Sequence, residues 1–191
     1  MRHEIVFGGF GGQGIKVISS LLAESAHAAG KHAMMYNIYA AAIRGGAIFC
    51  NVIVSDDNLL GAPTTTRPTA VLAMDANAVE VYEKEIRPGG VLVINSSLVA
   101  MAPTRPDLRV TRVPTNEIAE ELGDIKFTGM VALGALLEQT GVLPLGMVAQ
   151  CLEKTLPPYR HHLIPANVKA LARGAACAAG RPTELVQPVR P

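Results

Sequence analysis

Tryptophan is absent from this 191-residue chain, and aromatic residues make up only 4% of it. Ala, Val, Ile and Leu must therefore fill the interior. Charge is scarce as well: 17% charged residues stand against 49% hydrophobic ones. That balance suits a core whose helices cover both faces of a sheet. It equally suits a surface covered by a partner. Neither sign of charge dominates, with 17 Lys plus Arg against 16 Asp plus Glu. No basic run occurs and no aromatics interleave with basic residues, which argues against a nucleic-acid surface. No apolar run approaches the ~18–20 residues of a membrane span. The first strand-like run begins by residue 4 and leaves no room for a signal peptide, so a cytoplasmic location is expected. The cysteines, Cys50, Cys151 and Cys177, are odd in number, far apart and without a CxxC pair. This argues against an iron–sulfur cluster or structural zinc within the chain, and the thiols are expected as small reduced hydrophobes.

The length suggests one domain over residues 1–180, with a proline-bearing tail over 181–191. Residues 4–8 read as a buried strand, followed by a glycine-rich turn and a helix from about Ile15 to Ala29. The helix has an apolar face at Ile15, Ile18, Leu22, Ala26 and Ala29, and Gly30 ends it. Residues 33–39 form a second strand, 47–54 a third and 70–74 a fourth. Asp75 can cap a helix reaching Ile86, which Pro88-Gly89-Gly90 stops. Strands follow at 91–95 and 108–113. Thr115 and Thr128 are expected to cap helices, a third helix is expected over 145–156, and a fourth over 166–179. The fold class is α/β: a Rossmann-like three-layer domain with a mostly parallel sheet and a helical C-terminal part.

The run 8–14 (GGFGGQG) fits GxGxxG at Gly9, Gly11 and Gly14, between a strand and a helix. Without Cβ atoms, such a turn can present N–H groups at a helix N-terminus to a phosphate. The same glycines also serve a tight turn with no ligand. A nicotinamide site needs an acid near the end of the second strand to hold the ribose. The stretch from Gly30 to Gly46 contains no carboxylate, which argues against NAD but leaves phosphate binding open. Arg44 beside Gly45 and Gly46 can set a guanidinium against a phosphate, or can pin a loop through carbonyls. Thr64, Thr65, Thr66 and Arg67, and Ser96 and Ser97, can line the same crevice or simply form turns. His161 and His162 are adjacent, and a helix-end or interface role suits them better than a metal site. No GxSxG, Walker A or HExxH motif is present, and no Gly-Asp-Gly segment of the kind that holds magnesium and thiamine diphosphate.

In order along the chain, residues 8–14 come first, then Arg44-Gly45-Gly46 before a hydrophobic strand, then Thr66-Arg67-Pro68, then residues 89–97 (GGVLVINSS). After these come 118–123 (IAEELG), 130–137 (MVALGALL) and 161–165 (HHLIP). This ordered set resembles the gamma subunit of 2-oxoacid:ferredoxin oxidoreductases over roughly residues 3–175. Pyruvate and branched-chain members read Tyr-Gly-Pro-Glu ahead of Arg-Gly-Gly. Here the segment is Tyr39-Ala40-Ala41-Ala42-Ile43-Arg44-Gly45-Gly46, and the acid is gone.

The resemblance implies a complex that converts a 2-oxoacid and coenzyme A to acyl-CoA and carbon dioxide, with electrons passing to ferredoxin. It implies thiamine diphosphate, Mg and iron–sulfur clusters on alpha, beta and delta-type partner subunits, and a gamma-type chain that is inactive alone and contributes to coenzyme A binding. Site residues on this reading are Gly9, Gly11, Gly12, Gln13, Gly14, Arg44, Gly45 and Gly46. An isolated chain is expected to form a homodimer through the surface its partners cover. The competing readings are a self-sufficient Rossmann oxidoreductase and a stand-alone nucleotide-binding or regulatory module.

Overall fold

The computed structural model describes residues 1–39, 46–58 and 62–181, with the Tyr39 side chain excepted. Six strands form one sheet: β1 (Arg2–Phe10), β2 (His32–Tyr39), β3 (Ala47–Ser55), β4 (Ala70–Ala73), β5 (Val91–Asn95) and β6 (Arg109–Val113), in the order β2-β3-β1-β4-β5-β6. β1, β4, β5 and β6 are parallel neighbours. β3 is antiparallel to both β1 and β2, so β2 runs with β1 and β3 is the one reversed strand among the described residues. The sheet is mostly parallel, as the sequence suggests. The first βαβ unit, however, is opened by a hairpin strand slotted between its two strands.

The parallel strands are buried on both faces, which is why they read as unbroken apolar runs rather than alternating ones. Ile5, Val6 and Phe7 are all fully buried. Ile5, Phe7, Val52, Leu72 and Val93 face a thick helical layer of α1 (Ile15–Ala28), α3 (Thr115–Glu121), α4 (Thr128–Thr140), α5 (Leu145–Gln150), α6 (Leu152–Thr155) and α7 (Ile164–Ala178). Val6, Val71, Ala73, Leu92 and Ile94 face a thin layer, made by α2 (Ala76–Tyr82) and the loop carrying Val99 and Leu108. The three layers are thus unequal. α4 is the axis of the thick one, with every residue from Thr128 to Leu137 buried.

Several helix ends differ from expectation. Asp75 caps α2 as read, its Oδ1 accepting from the Ala78 N–H at 2.7 Å. Thr115 does not cap α3: Pro114 takes that place, and Thr115 is already helical. Thr128 is likewise inside α4. A single 3-10 turn, Ile125–Phe127, capped by Asp124, runs straight into the helix, and the Thr128 hydroxyl donates back to the Ile125 carbonyl at 2.6 Å. The helix expected over 145–156 breaks at Cys151, where the Cys151 N–H bonds to Val148 three residues back and the last turn of α5 tightens. Of the expected tail only Arg181 is described, paired with Glu138 at 3.1 Å.

Candidate functional site

β1 extends through Phe10, so Gly8 and Gly9 are strand residues and the turn proper is Gly11–Gly14. Gly12 and Gly14 have φ of 99° and 77°, a backbone region that side chains with a Cβ rarely adopt. Gln13 fixes the turn. Its Oε1 accepts from the Phe10 N–H at 2.7 Å and its Nε2 donates to the Met74 carbonyl at 3.2 Å, tying the end of β1 to the end of β4. α1 starts at Ile15 with no side-chain cap, leaving its first-turn N–H groups for another acceptor. From β1 the chain passes to α1 in the thick layer, and from β4 to α2 in the thin one. The glycine turn therefore sits where neighbouring connections part to opposite faces, the place where open α/β sheets bind ligands.

A cleft of about 510 Å³ opens beside this turn, between the first turn of α1, the start of β3, the start of α4 and the segment before α7. Its apolar wall includes Phe10, Ile48, Phe127 and Met130. Lys16, Lys126 and Arg160 also line it, and among the described residues no Asp or Glu does. Lys16 lies in the first turn of α1, where the helix dipole disfavours a cation, and it makes no ion pair among the described residues. At the far wall Asn167 is 6% exposed and donates from Nδ2 to the Leu163 carbonyl at 2.8 Å.

Asp75 flanks the same switch point from the β4 side. Its Oδ2 is buried and unpartnered among the described residues. Burial pushes its carboxyl above the ordinary range, helped by nearby Glu80 and opposed by the Ala78 N–H. The unfolded chain releases this proton near pH 3.8, while the folded chain holds it longer. Asp75 therefore makes stability fall as pH rises from about 4 through the folded pKa. Asp75→Asn keeps a capping oxygen and removes the charge. The melting temperature of D75N relative to wild type is expected to climb between pH 3 and pH 7, and a flat difference over that range would show that Asp75 does not titrate this way.

Arg44 and Gly45 lie outside the described residues. Gly46 is half-buried just ahead of β3, and Ala47 pairs with Phe10. β2 ends at Tyr39, which pairs with Ile48 near the start of β3, beside the end of β1 that carries the glycine turn. The threonine loop does not share that crevice. The Thr65 hydroxyl bonds Glu4, and Arg87 Nε donates to the Arg67 carbonyl at 2.7 Å, at the amino end of β1 and β4. The smaller cavity there, about 250 Å³, is lined by Arg2, Arg87 and Arg109. Its arginines are occupied by Glu4 and by the Gln139 carbonyl at the end of α4. Ser97 is structural: its hydroxyl meets Glu117 and accepts from the Asn116 N–H at 3.0 Å. His161 Nε2 donates to the Leu156 carbonyl at 2.9 Å, a helix-end role. Cys50, Cys151 and Cys177 are free thiols on separate elements, and burial raises the Cys50 pKa.

The model of the pyruvate ferredoxin/flavodoxin oxidoreductase family matches residues 4–177. The chain belongs to this family. It is 30% identical over 165 residues to the 2-oxoglutarate synthase subunit KorC of Methanothermobacter marburgensis, covering 83% of this chain and 88% of that subunit. The gamma subunit of a keto/oxoacid ferredoxin oxidoreductase from Geobacter sulfurreducens superposes with a TM-score of 0.80 at 30% identity, over 94% of this chain and 98% of that one. The 2-oxoglutarate:ferredoxin oxidoreductase of Magnetococcus marinus, solved with 2-oxoglutarate, coenzyme A and succinyl-CoA, shares the fold. It superposes at a TM-score of 0.83 and 23% identity, over 95% of this chain but 32% of that longer one. The chain is a gamma-type subunit of a multi-subunit 2-oxoacid:ferredoxin oxidoreductase. Among the described residues no helix is long and apolar enough to cross a membrane.

The fold brings the glycine turn to the cleft between α1, β3 and α4 and separates it from the threonine loop. It adds Lys16, Lys126, Arg160 and Asn167, which the sequence reading missed. Lys16 left a local signal, a cation in the first turn after a glycine run. The other three come from remote segments and left none.

Proposed function

We propose that this gamma-type subunit, as a single domain over residues 1–180, holds coenzyme A for a reaction whose bond-making centre lies on its partners. The carrying observation is the glycine turn opening on a cleft that, among the described residues, has three cations and no carboxylate. A polyanionic nucleotide suits that electrostatics, and nothing in the lining provides the ribose acid of a nicotinamide site. Gly9, Gly11, Gly12, Gln13 and Gly14 supply the backbone approach. Arg44, with Gly45 and Gly46, supplies a guanidinium from the adjoining loop. The 2-oxoacid and coenzyme A become acyl-CoA and carbon dioxide, and two electrons leave toward ferredoxin. Thiamine diphosphate, Mg and the iron–sulfur clusters belong on alpha, beta and delta-type partners on this reading; for the clusters, which need several thiolates together, the three thiols here sit on separate elements, on β3, at the α5–α6 junction and on α7. The relative from Magnetococcus marinus solved with coenzyme A supports the choice of nucleotide.

The purified chain is expected to be colourless and to reduce no dye with any 2-oxoacid. Adding its partner subunits should produce coenzyme A-dependent activity. Stoichiometric iron, or 2-oxoacid oxidation by this chain alone, would overturn the assignment.

A further inference from the structure

β2 forms one edge of the sheet, and among the described residues no strand pairs with its outer side. Edge strands are usually shielded by charge, proline, a bulge or shortness, because their free N–H and C=O groups accept any strand that comes near. β6, at the other edge, follows that rule. It has five residues, two of them arginines, and the Arg112 guanidinium reaches the loop alongside, at the Val99 carbonyl and at the Met101 carbonyl 2.9 Å away. β2 has none of these guards. Its eight residues (HAMMYNIY) include no Asp, Glu, Lys, Arg or Pro, and it pairs with β3 from His32 to Tyr39 without a bulge. Tyr36 and Ile38 are 47% and 36% exposed.

The strand register identifies the free groups. The Asp56 N–H bonds the Met1 carbonyl, one step beyond the Arg2–Ser55 pair of β1 and β3. Hydrogen-bonded pairs alternate along an antiparallel ladder. On β3, Ile48, Cys50, Val52 and Val54 therefore bond β1, and Phe49, Asn51, Ile53 and Ser55 bond β2. The β2 partners of the second set are Ile38, Tyr36, Met34 and His32. The main-chain N–H and C=O groups of Ala33, Met35, Asn37 and Tyr39 thus point away from the sheet. These four residues are self-complementary. A two-fold axis through Tyr36, perpendicular to the sheet, sets Ala33 opposite Tyr39 and Met35 opposite Asn37 of a second copy, so all four find partners. Tyr36 then meets its own copy as a non-hydrogen-bonded pair, in which side chains come closest, flanked by two Met34–Ile38 pairs. A charge near such an axis would face a like charge. β2 carries none, and the neighbouring Lys31 is already bonded to Asp56. α1 fits the same arrangement. It packs on both β2 and β3, with the Ser20 hydroxyl 3.7 Å from the Met35 sulfur. Two such helices flanking the axis would lie about two strand spacings apart, ~9.6 Å, inside the ~8–10 Å of packed helices.

We propose that β2 is a homodimer seam, at which a second copy of this chain pairs antiparallel through its own β2 about a two-fold axis at Tyr36 and joins the two sheets into one. The contact is isologous and closes on itself. The seam is about 26 Å long at ~3.3 Å per residue, and with the sheet and one helical layer about 20 Å deep it covers on the order of 500 Å² per subunit. A standard interface covers about 800 Å² per partner. The dimer is therefore reversible, and its population rises with concentration.

The test is sedimentation velocity of the full chain over about a hundredfold range of micromolar concentration. Wild type should pass from monomer to dimer. Tyr36→Lys sets two ammonium groups against each other at the axis and should raise the dimer dissociation constant by about a hundredfold or more. Tyr36 is exposed, so the melting temperature of dilute Y36K should hold. Val110→Lys, a like change at an exposed residue of β6, should leave dimerisation unmoved. Tyr36→Cys should close a disulfide between copies under mild oxidant, because Cα atoms of a non-hydrogen-bonded pair lie about 4.5 Å apart. Ile38→Cys, which faces Met34 of the other copy and not itself, should not. A wild-type chain that stays monomeric at the top of the range, or a dimer that Y36K leaves intact, overturns the proposal. So does a cross-link in Ile38→Cys but not in Tyr36→Cys. A monomeric wild type whose binding to partner subunits is lost in Y36K overturns it too, and assigns the edge to a partner strand.

Discussion

Gly174→Ala is expected to destabilise the subunit by at least about 2–3 kcal/mol, although the same change in an open helix stabilises by about 0.8–1.0 kcal/mol. The sign reverses because α4 and α7 touch backbone to backbone. A Cβ on Gly174 would lie 1.8 Å from the Val131 carbonyl oxygen, and one on Gly134 would lie 2.0 Å from that of Leu171. Backbone cannot rotate away as a flexible side chain can, so the two helices must separate. α4 is buried from Thr128 to Leu137, and the gap would spread through the thick helical layer as lost contacts. Gly134→Ala should behave alike. Gly146, on α5, meets nothing within 4 Å, so Gly146→Ala should follow helix propensity and be neutral or slightly stabilising. Urea unfolding of the three variants separates the cases, and a G174A protein as stable as wild type would mean that the helices are not in this contact.

Replacing Arg44 with Ala in the reconstituted complex should raise the Michaelis constant for coenzyme A by about ten- to a hundredfold. This is the equivalent of losing one charge-assisted hydrogen bond, ~1.5–3 kcal/mol. The competing role, an arginine that only pins its loop, predicts weaker assembly and an unchanged constant in whatever complex survives. Steady-state kinetics with coenzyme A varied at saturating 2-oxoacid distinguish the two, and an unchanged constant rejects Arg44 as a ligand residue. Gly11→Val is a cleaner partner variant than the motif alone suggests. Gly11 does not share the positive φ of Gly12 and Gly14, and a Cβ on it meets nothing within 4 Å. The melting temperature should hold while coenzyme A affinity drops, because the added side chain stands only in the way of the phosphate. Valine at Gly12 or Gly14 would instead strain the turn.

Much of this protein is written locally. Apolar runs of four to five residues mark β4 and β5, because a parallel strand buried on both faces has no polar side to show. The 3–4 spacing of Ile15, Ile18 and Leu22 marks α1, and the glycine run marks the turn between strand and helix. These are short-range consequences of backbone geometry and burial, and they suffice for the fold class and the glycine turn. Cap positions at Thr115 and Thr128 were not legible, since a preceding proline and a single 3-10 turn shifted each helix start. Only the tertiary structure decided that the reversed strand β3 lies between β1 and β2, that Thr65 and Arg67 serve the opposite end of the sheet from the glycine turn, and that Lys126, Arg160 and Asn167 converge on Lys16. Strand order and cleft composition depend on contacts between residues far apart in the chain. Such contacts are chosen by the packing of whole layers and leave no periodic mark on the segments they join.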